Sequence, residues 1–283
     1  MTPTRKTLQL DELLASGREQ LRPSPSARLD AELLLGFLLD LSRSQLLARG
    51  EEAAPAGVER DYLALLARRA AGVPIAYLTG RHEFWSLPLR VTPAVLVPRP
   101  ETELVVERAL ALVGDAEASA ADLGTGSGAI ALALASERRG WRVLATDQSP
   151  AALEVARGNA AALGLSTVRF AQGNWCGALP RERFQLIVSN PPYLAADDPA
   201  LGDPVLQHEP RGALVSGPDG LEAYRAILDD VAGYLRPGGW LVFEHGATQA
   251  AALAALLVAG GFTHVRCHPD LAGLERVTEA RAP

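Results

Sequence analysis

The chain has 283 residues, 48% of them apolar, with 27 basic and 33 acidic side chains and a formal net charge of −6. That length fits one large or two ordinary domains with ample core, and the acidic balance argues against a strong nucleic-acid binder. Two widely separated cysteines, Cys176 and Cys267, without a CxxC partner argue against a disulfide framework or a zinc site and fit a reducing cytosol.

The start carries Arg5, Lys6, Asp11 and Glu12 and no long apolar run, so no signal peptide is expected. The Ala/Leu-rich stretch 250–259 is too short to span a bilayer, and the expected location is the cytoplasm. Charges balance up to Trp85, so the acidic excess lies beyond it, and Lys6 is the lone lysine. Leu10, Leu13 and Leu14 repeat at helical spacing, as do Leu29, Leu33, Leu34, Phe37, Leu38 and Leu41, and a third helix is expected over 59–71. Pro23, Pro25, Pro55, Gly57, Gly72 and Pro74 punctuate them. Nothing in this bundle looks catalytic, and a bundle in front of an enzyme core suits gripping a macromolecular substrate.

Residues 83–91 and 95–97 read as short strands or a hairpin, and Pro98-Arg99-Pro100-Glu101-Thr102-Glu103 opens a helix with proline and acids suited to its first turn. Arg99 reads as a solvated charge or as a group near substrate. From about 118 the chain alternates strands (120–123, 141–146, 168–171, 186–189, 240–244, 264–267) with helices (near 127–137, 150–163, 220–235 and 248–259), the pattern of a parallel sheet covered on both faces. Gly238-Gly239 marks a turn before the fifth strand.

Between the first of these strands and its helix lies Asp122-Leu123-Gly124-Thr125-Gly126-Ser127-Gly128, where glycine lets backbone approach a ligand and the helix presents free N–H groups. Gly126, Gly128 and Ala131 also satisfy GxGxxA, so a dinucleotide fold competes with an S-adenosylmethionine site. Asp122 is placed to accept hydrogen bonds from an amino-acid moiety, and Asp147, ending the next strand, to bind ribose hydroxyls. Asn174-Trp175 follows the third strand, where an aromatic ring covers adenine or simply packs in the core.

Asn190-Pro191-Pro192-Tyr193 ends the fourth strand and decides between the cofactors. Two prolines lock φ and lack N–H groups, leaving the carbonyls of Asn190 and Pro191 as rigid acceptors. An NH2 group conjugated to a carbonyl or ring attacks poorly, and acceptors gripping both hydrogens align it and favour its developing charge. Tyr193 offers a flat face to a flat substrate. Asn-Pro alone is also a common turn, but hydride transfer gives no reason for the whole tetrapeptide. His82, His208, His245, His264 and His268 lack metal-ligand spacing and read as structural or surface residues.

With Pro74-Ile75-Ala76-Tyr77-Leu78-Thr79-Gly80, Glu83-Phe84-Trp85 and Glu275-Arg276-Val277-Thr278, these motifs resemble the release factor glutamine N5-methyltransferases (the PrmC/HemK type) over nearly the whole chain. The resemblance implies an α/β fold: a Rossmann-like, mostly parallel seven-stranded class I methyltransferase core (99–283) after a small helical domain that binds release factor (1–76) and a β-hairpin linker (77–98). It implies methylation of the glutamine in the Gly-Gly-Gln motif of bacterial peptide chain release factors. Gly124, Thr125, Gly126, Ser127, Gly128, Asp147, Trp175 and Asn190 would contact S-adenosyl-L-methionine, which leaves as S-adenosyl-L-homocysteine. Asn190, Pro191, Pro192 and Tyr193 would hold the glutamine amide, with Asn190, Pro191 and Tyr193 carrying catalysis and no metal, nucleic acid or membrane involved. A monomer is expected. Asn174 stands where the family usually has aspartate, His208 precedes Glu209 where the family usually has an aromatic residue, and the C-terminus lacks the family's short basic-aromatic tail, which leaves the last strand open. The enzymatic rival is methylation of an exocyclic amino group on nucleic acid; the other is a binding protein that retains the fold without catalysis.

Overall fold

The computed structural model describes residues 8–114 and 117–283; Arg5 and Lys6 of the charged start lie outside the described residues. Two compact units emerge, one within Met1–Gly80 together with Pro204–His208, the other Arg81–Asp203 with Glu209–Pro283.

The first unit contains α1 (Leu10–Gln20), α2 (Ala27–Leu39), α3 (Arg43–Ala48), α4 (Val58–Ala70) and α5 (Ile75–Thr79). The three expected helices are present; α3 and α5 are too short for periodicity to reveal them. Leu13, Leu14, Leu34, Leu35, Tyr62 and Leu66 form its core, and Tyr62 donates to the Ala31 carbonyl at 3.1 Å. Glu32 is buried within the helices and answered by Arg18, Arg28 and Arg43. The segment returning at Pro204–His208 belongs here through His208, whose Nε2 lies 3.0 Å from the Ala71 carbonyl.

The second unit opens with the antiparallel hairpin of β1 (Arg81–Phe84) and β2 (Leu87–Arg90). The expected strand at 95–97 is absent: Val95 and Val97 are buried in irregular chain leading to Pro98, whose ring lacks the N–H a ladder needs. Trp85 and Ser86 make the two-residue hairpin turn at φ 53° and 57°, a left-handed geometry normally given to Asn-Gly. The Glu103 carboxylate accepts from Trp85 N at 2.8 Å, and Trp85 Nε1 donates to Glu137 at 2.8 Å, which holds the turn. Ser86→Gly is therefore expected to stabilise the protein by ~0.5–1 kcal/mol, since glycine adopts positive φ without strain. A thermal midpoint equal to or below wild type would contradict this.

There follow α6 (Glu103–Val113), β3 (Ser119–Leu123), α7 (Ala129–Glu137), β4 (Arg142–Asp147), α8 (Pro150–Ala162), β5 (Arg169–Gln172), β6 (Phe184–Ser189), α9 (Glu222–Leu228), α10 (Val231–Tyr234), β7 (Leu235–Glu244), α11 (Ala250–Ala259), β8 (Thr263–Pro269) and β9 (Glu275–Arg281). The sheet order is β5-β4-β3-β6-β7-β9-β8. Strands β3 to β7 run parallel and β9 pairs antiparallel with both neighbours. Apolar runs such as Leu186-Ile187-Val188 are buried on both faces, as a parallel sheet covered by helices requires. One face packs α6, α7 and part of α8, the other α9 to α11.

Two further expectations change, and one left open is settled. The single helix at 220–235 is two, because Asp230 leaves helical geometry at φ −125° between α9 and α10. Gly238-Gly239 lies inside β7 as an irregularity, Gly238 at φ +72°, rather than in a turn before it. The strand left open at the C-terminus is β9, which its charges conceal: Glu279 is buried but paired with Arg108 at 3.0 Å, with His268 Nε2 also 3.0 Å from its carboxylate. Among the described residues no helix is long and apolar enough to cross a membrane.

Candidate active site

The chain leaves the central strand β3 for β4 and β5 on one side and returns to β6 and β7 on the other. That switch point opens a crevice at the carboxyl ends of the strands, and a cavity of about 1050 Å3, counting its solvent-open mouth, occupies it.

The glycine loop forms one wall. Gly124 and Thr125 donate to the Thr146 carbonyl at 2.9 and 2.8 Å, turning the chain off the sheet. Gly124 sits at φ +75°, and a Cβ there would press within 3.3 Å of the Trp175 ring; Gly126 sits at φ +56° and its missing Cβ would stand in open space. Glycine therefore supplies the turn and keeps the wall bare at this place.

Asp147 ends β4 on the cavity wall, its two oxygens accepting from Gly126 N at 3.0 Å and Ser149 N at 2.9 Å. The carboxylate is thus fixed before any ligand arrives. Asn174 and Trp175 line the wall beyond β5, with Trp175 held at φ 44°. Asn190 and Pro192 complete it after β6, which Ser189 ties to β3 by donating to the Leu123 carbonyl at 2.7 Å.

The cavity thus gathers Gly124, Thr125, Gly126, Ser127, Asp147, Trp175, Asn190 and Pro192. Asp122, Gly128, Pro191 and Tyr193 lie outside its wall. Gly128 caps α7, Pro191 is buried, and Tyr193 is half-buried, its carbonyl accepting from Gln249 Nε2 at 2.9 Å and its phenol pushed up to about 12 by burial.

Asp122 is buried behind the loop. Its Oδ2 accepts from Thr125 Oγ1 at 2.6 Å and Ala131 N at 3.2 Å, while Oδ1 has no hydrogen-bond partner. Burial pushes its pKa up to about 7 against the pull of those two donors. Its folded pKa lies above its unfolded one, so the folded state holds a proton that the unfolded chain has lost between about pH 4 and 7. The associated stabilisation is complete at acid pH and is lost as pH rises through about 7. Asp122→Asn should therefore gain ~2–4 kcal/mol of stability relative to wild type on going from pH 5 to pH 8. Denaturant titrations at the two pH values check this, and parallel behaviour of the two proteins would refute it.

Sequence reasoning missed several neighbours. Thr102 lines the cavity, and its Oγ1 accepts from Asn190 Nδ2 at 3.2 Å. Glu244, at the end of β7, is buried; burial pushes it up to about 7, opposed by hydrogen bonding from Thr102, with smaller effects from Glu101, Arg276 and Asn190. Arg99 is no free surface charge: its Nη2 lies 2.6 Å from Oε1 of the buried Glu209, beside the wall residues Pro98 and Pro210. Its place just before the sheet unit was the one available signal. His245, read as structural, is buried, with Nε2 2.9 Å from Thr278 Oγ1.

The residues present fit a nucleotide-like methyl donor. Asp147 offers a fixed carboxylate, Trp175 a ring, Gly126 a bare backbone, and Asp122 Oδ1 a buried acceptor without a partner.

Comparison with known proteins adds the following. The family profile for the PrmC N-terminal domain matches residues 12–80, and that for the Methyltransferase small domain matches 102–208. A release factor glutamine methyltransferase of Xylella fastidiosa (strain Temecula1) is 49% identical over 96% of this chain and 97% of its own. One of Burkholderia pseudomallei is 50% identical over 95% and 97%. Among solved structures, the hMettl16 catalytic domain bound to MAT2A 3'UTR hairpin 1 superposes with a TM-score of 0.60 at 19% identity, covering 76% of this chain and 80% of that one. A methyltransferase from Pyrococcus furiosus gives 0.53 at 20% identity, covering 69% and 88%. At such identities these structures speak for the fold alone.

Proposed function

The chain belongs to the release factor glutamine methyltransferase family, whose members depend on S-adenosylmethionine, and from that membership we propose how its own residues carry the reaction. The methylated atom is the side-chain nitrogen (N5) of the glutamine in the Gly-Gly-Gln motif of a bacterial release factor. The observation that carries this reading is Asn190. It stands on the same cavity wall as the glycine loop with its Nδ2 engaged by Thr102, so Oδ1 remains as acceptor for an incoming NH2.

When bound, S-adenosylmethionine supplies an electrophilic methyl group. Gly124, Thr125, Gly126, Ser127 and Gly128 would give it a backbone cradle, Asp147 would receive ribose hydroxyls, Trp175 and Asn174 would meet the base, and Asp122, from behind the loop, would serve the amino-acid end. Asn190 and the backbone oxygens at Asn190 and Pro191 accept the amide hydrogens, which aligns the nitrogen and favours the charge growing on it. Pro192 and Tyr193 flank the planar amide. Excess proton leaves to solvent, so no general base is required. Residues 1–76 grip the release factor, 77–98 link, and 99–283 catalyse, as a cytoplasmic monomer using neither metal nor nucleic acid. The acidic net charge supports a protein substrate over a nucleic acid.

Incubation with labelled donor, release factor and total RNA and DNA tests this. One added methyl on the glutamine of the Gly-Gly-Gln peptide, seen by mass spectrometry, is the expected outcome. Label in nucleic acid instead would overturn the reading.

A further inference from the structure

The two ends of an asparagine amide are nearly identical in shape, so the side chain itself does not decide which end meets substrate. Here the surroundings decide. Asn190 Nδ2 donates to Thr102 Oγ1 at 3.2 Å, and the Glu244 carboxylate lies buried beside both side chains, which favour its charged form, with its Oε2 lacking a hydrogen-bond partner. An ionised carboxylate only accepts. A Thr102 hydrogen turned toward that unpartnered carboxylate oxygen leaves the hydroxyl only lone pairs for Asn190. The amide end facing this pair must be the donor end. Thr102 lies in the turn before α6 and Glu244 at the end of β7, so neither travels with Asn190, which follows β6. Glu101, Arg276 and the phenols of Tyr193 and Tyr224 also face Glu244, but Tyr224 donates to its backbone carbonyl at 2.9 Å rather than to the carboxylate.

We infer that Thr102 and Glu244 are positioning residues that hold the Asn190 amide with its nitrogen turned inward and its oxygen presented to the cavity. This rests on the reading of Asn190 as the acceptor for the substrate amide. Neither residue needs to touch substrate; both act through Asn190.

The test compares Thr102→Val, Thr102→Ser, Glu244→Gln, Asn190→Ala and the Asn190→Ala/Thr102→Val pair, using release factor as substrate at pH 8, where Glu244 is ionised. Thr102→Val keeps the shape but removes the acceptor, and should lower kcat about tenfold or more with KM for release factor within about twofold. Thr102→Ser should recover to within about threefold of wild type. Glu244→Gln is isosteric, yet its NH2 can donate to Thr102 and reverse the chain of hydrogen bonds, so it should lose kcat as Thr102→Val does. The double variant should be no slower than Asn190→Ala alone, because the effect passes through Asn190. Wild-type kcat in Thr102→Val and Glu244→Gln beside a slow Asn190→Ala would overturn the inference and leave the acceptor reading standing. Full activity in Asn190→Ala would remove both. A matching fall in donor affinity and thermal midpoint in Thr102→Val and Glu244→Gln would reduce the pair to a structural role and likewise overturn it.

Discussion

Asn190→Ala is expected to lower turnover roughly a hundredfold or more, as for other lost alignment and acceptor groups. An amide nitrogen has its lone pair delocalised into the carbonyl, so the enzyme gains most by fixing its direction and by meeting the charge that appears on it as it attacks. Alanine removes the side-chain acceptor and leaves only backbone oxygens. The fold should persist, because Ser189 still clasps the Leu123 carbonyl and the two prolines still set the chain direction. Donor affinity should fall far less than turnover, since Asp147, Trp175 and the glycine loop are untouched. Single-turnover kinetics with calorimetric titration of the donor separates the two effects. Turnover within threefold of wild type would remove Asn190 from the mechanism.

Asp147→Ala should act on the other half of the reaction. Its two oxygens hold Gly126 N and Ser149 N at 3.0 and 2.9 Å, so the side chain fixes both the bare stretch of the loop and the start of α8. Ser149 in turn caps that helix, its Oγ accepting from Ala152 N at 3.2 Å. Hydrogen bonds to a charged group contribute about 1.5–3 kcal/mol each, and the variant also loses the acceptor proposed for the ribose. A loss of roughly 3 kcal/mol corresponds to about a hundredfold weaker donor binding. Calorimetry reads this directly, with KM for release factor nearly constant as the control. Donor affinity close to wild type would show that the ribose is held elsewhere.

The legible parts of this site are those whose chemistry is compressed into a few consecutive residues. Gly124 to Gly128, Asp147 at its strand end and the Asn190 tetrapeptide each combine a backbone requirement with a polar group, and the cavity gathers most of them. Tyr193 and Pro191 are placed by the structure outside the cavity wall itself. They are adjacent to the wall residues Asn190 and Pro192 in sequence, yet Pro191 is buried and Tyr193 half-buried beside the wall, which adjacency along the chain does not foretell. Charge misled in the same way. Arg99 was readable as a solvated cation and β9 was hidden by its acids, because burial becomes tolerable only when a distant partner is present, as Arg108 is for Glu279.

The order of residues by itself determined the alternation of strands and helices, the glycine turn, the acid closing the second sheet strand and the rigid pair of prolines. Each depends on dihedral preferences and on groups a few bonds apart. Only the tertiary structure decided which way the Asn190 amide points, since its partner Thr102 lies 88 residues earlier. It alone also decided that Glu244 stands behind them and that Arg99 clasps Glu209 from 110 residues away. Such contacts exist because the sheet's switch point brings separate strand ends together, and spacing along the chain carries no trace of that convergence.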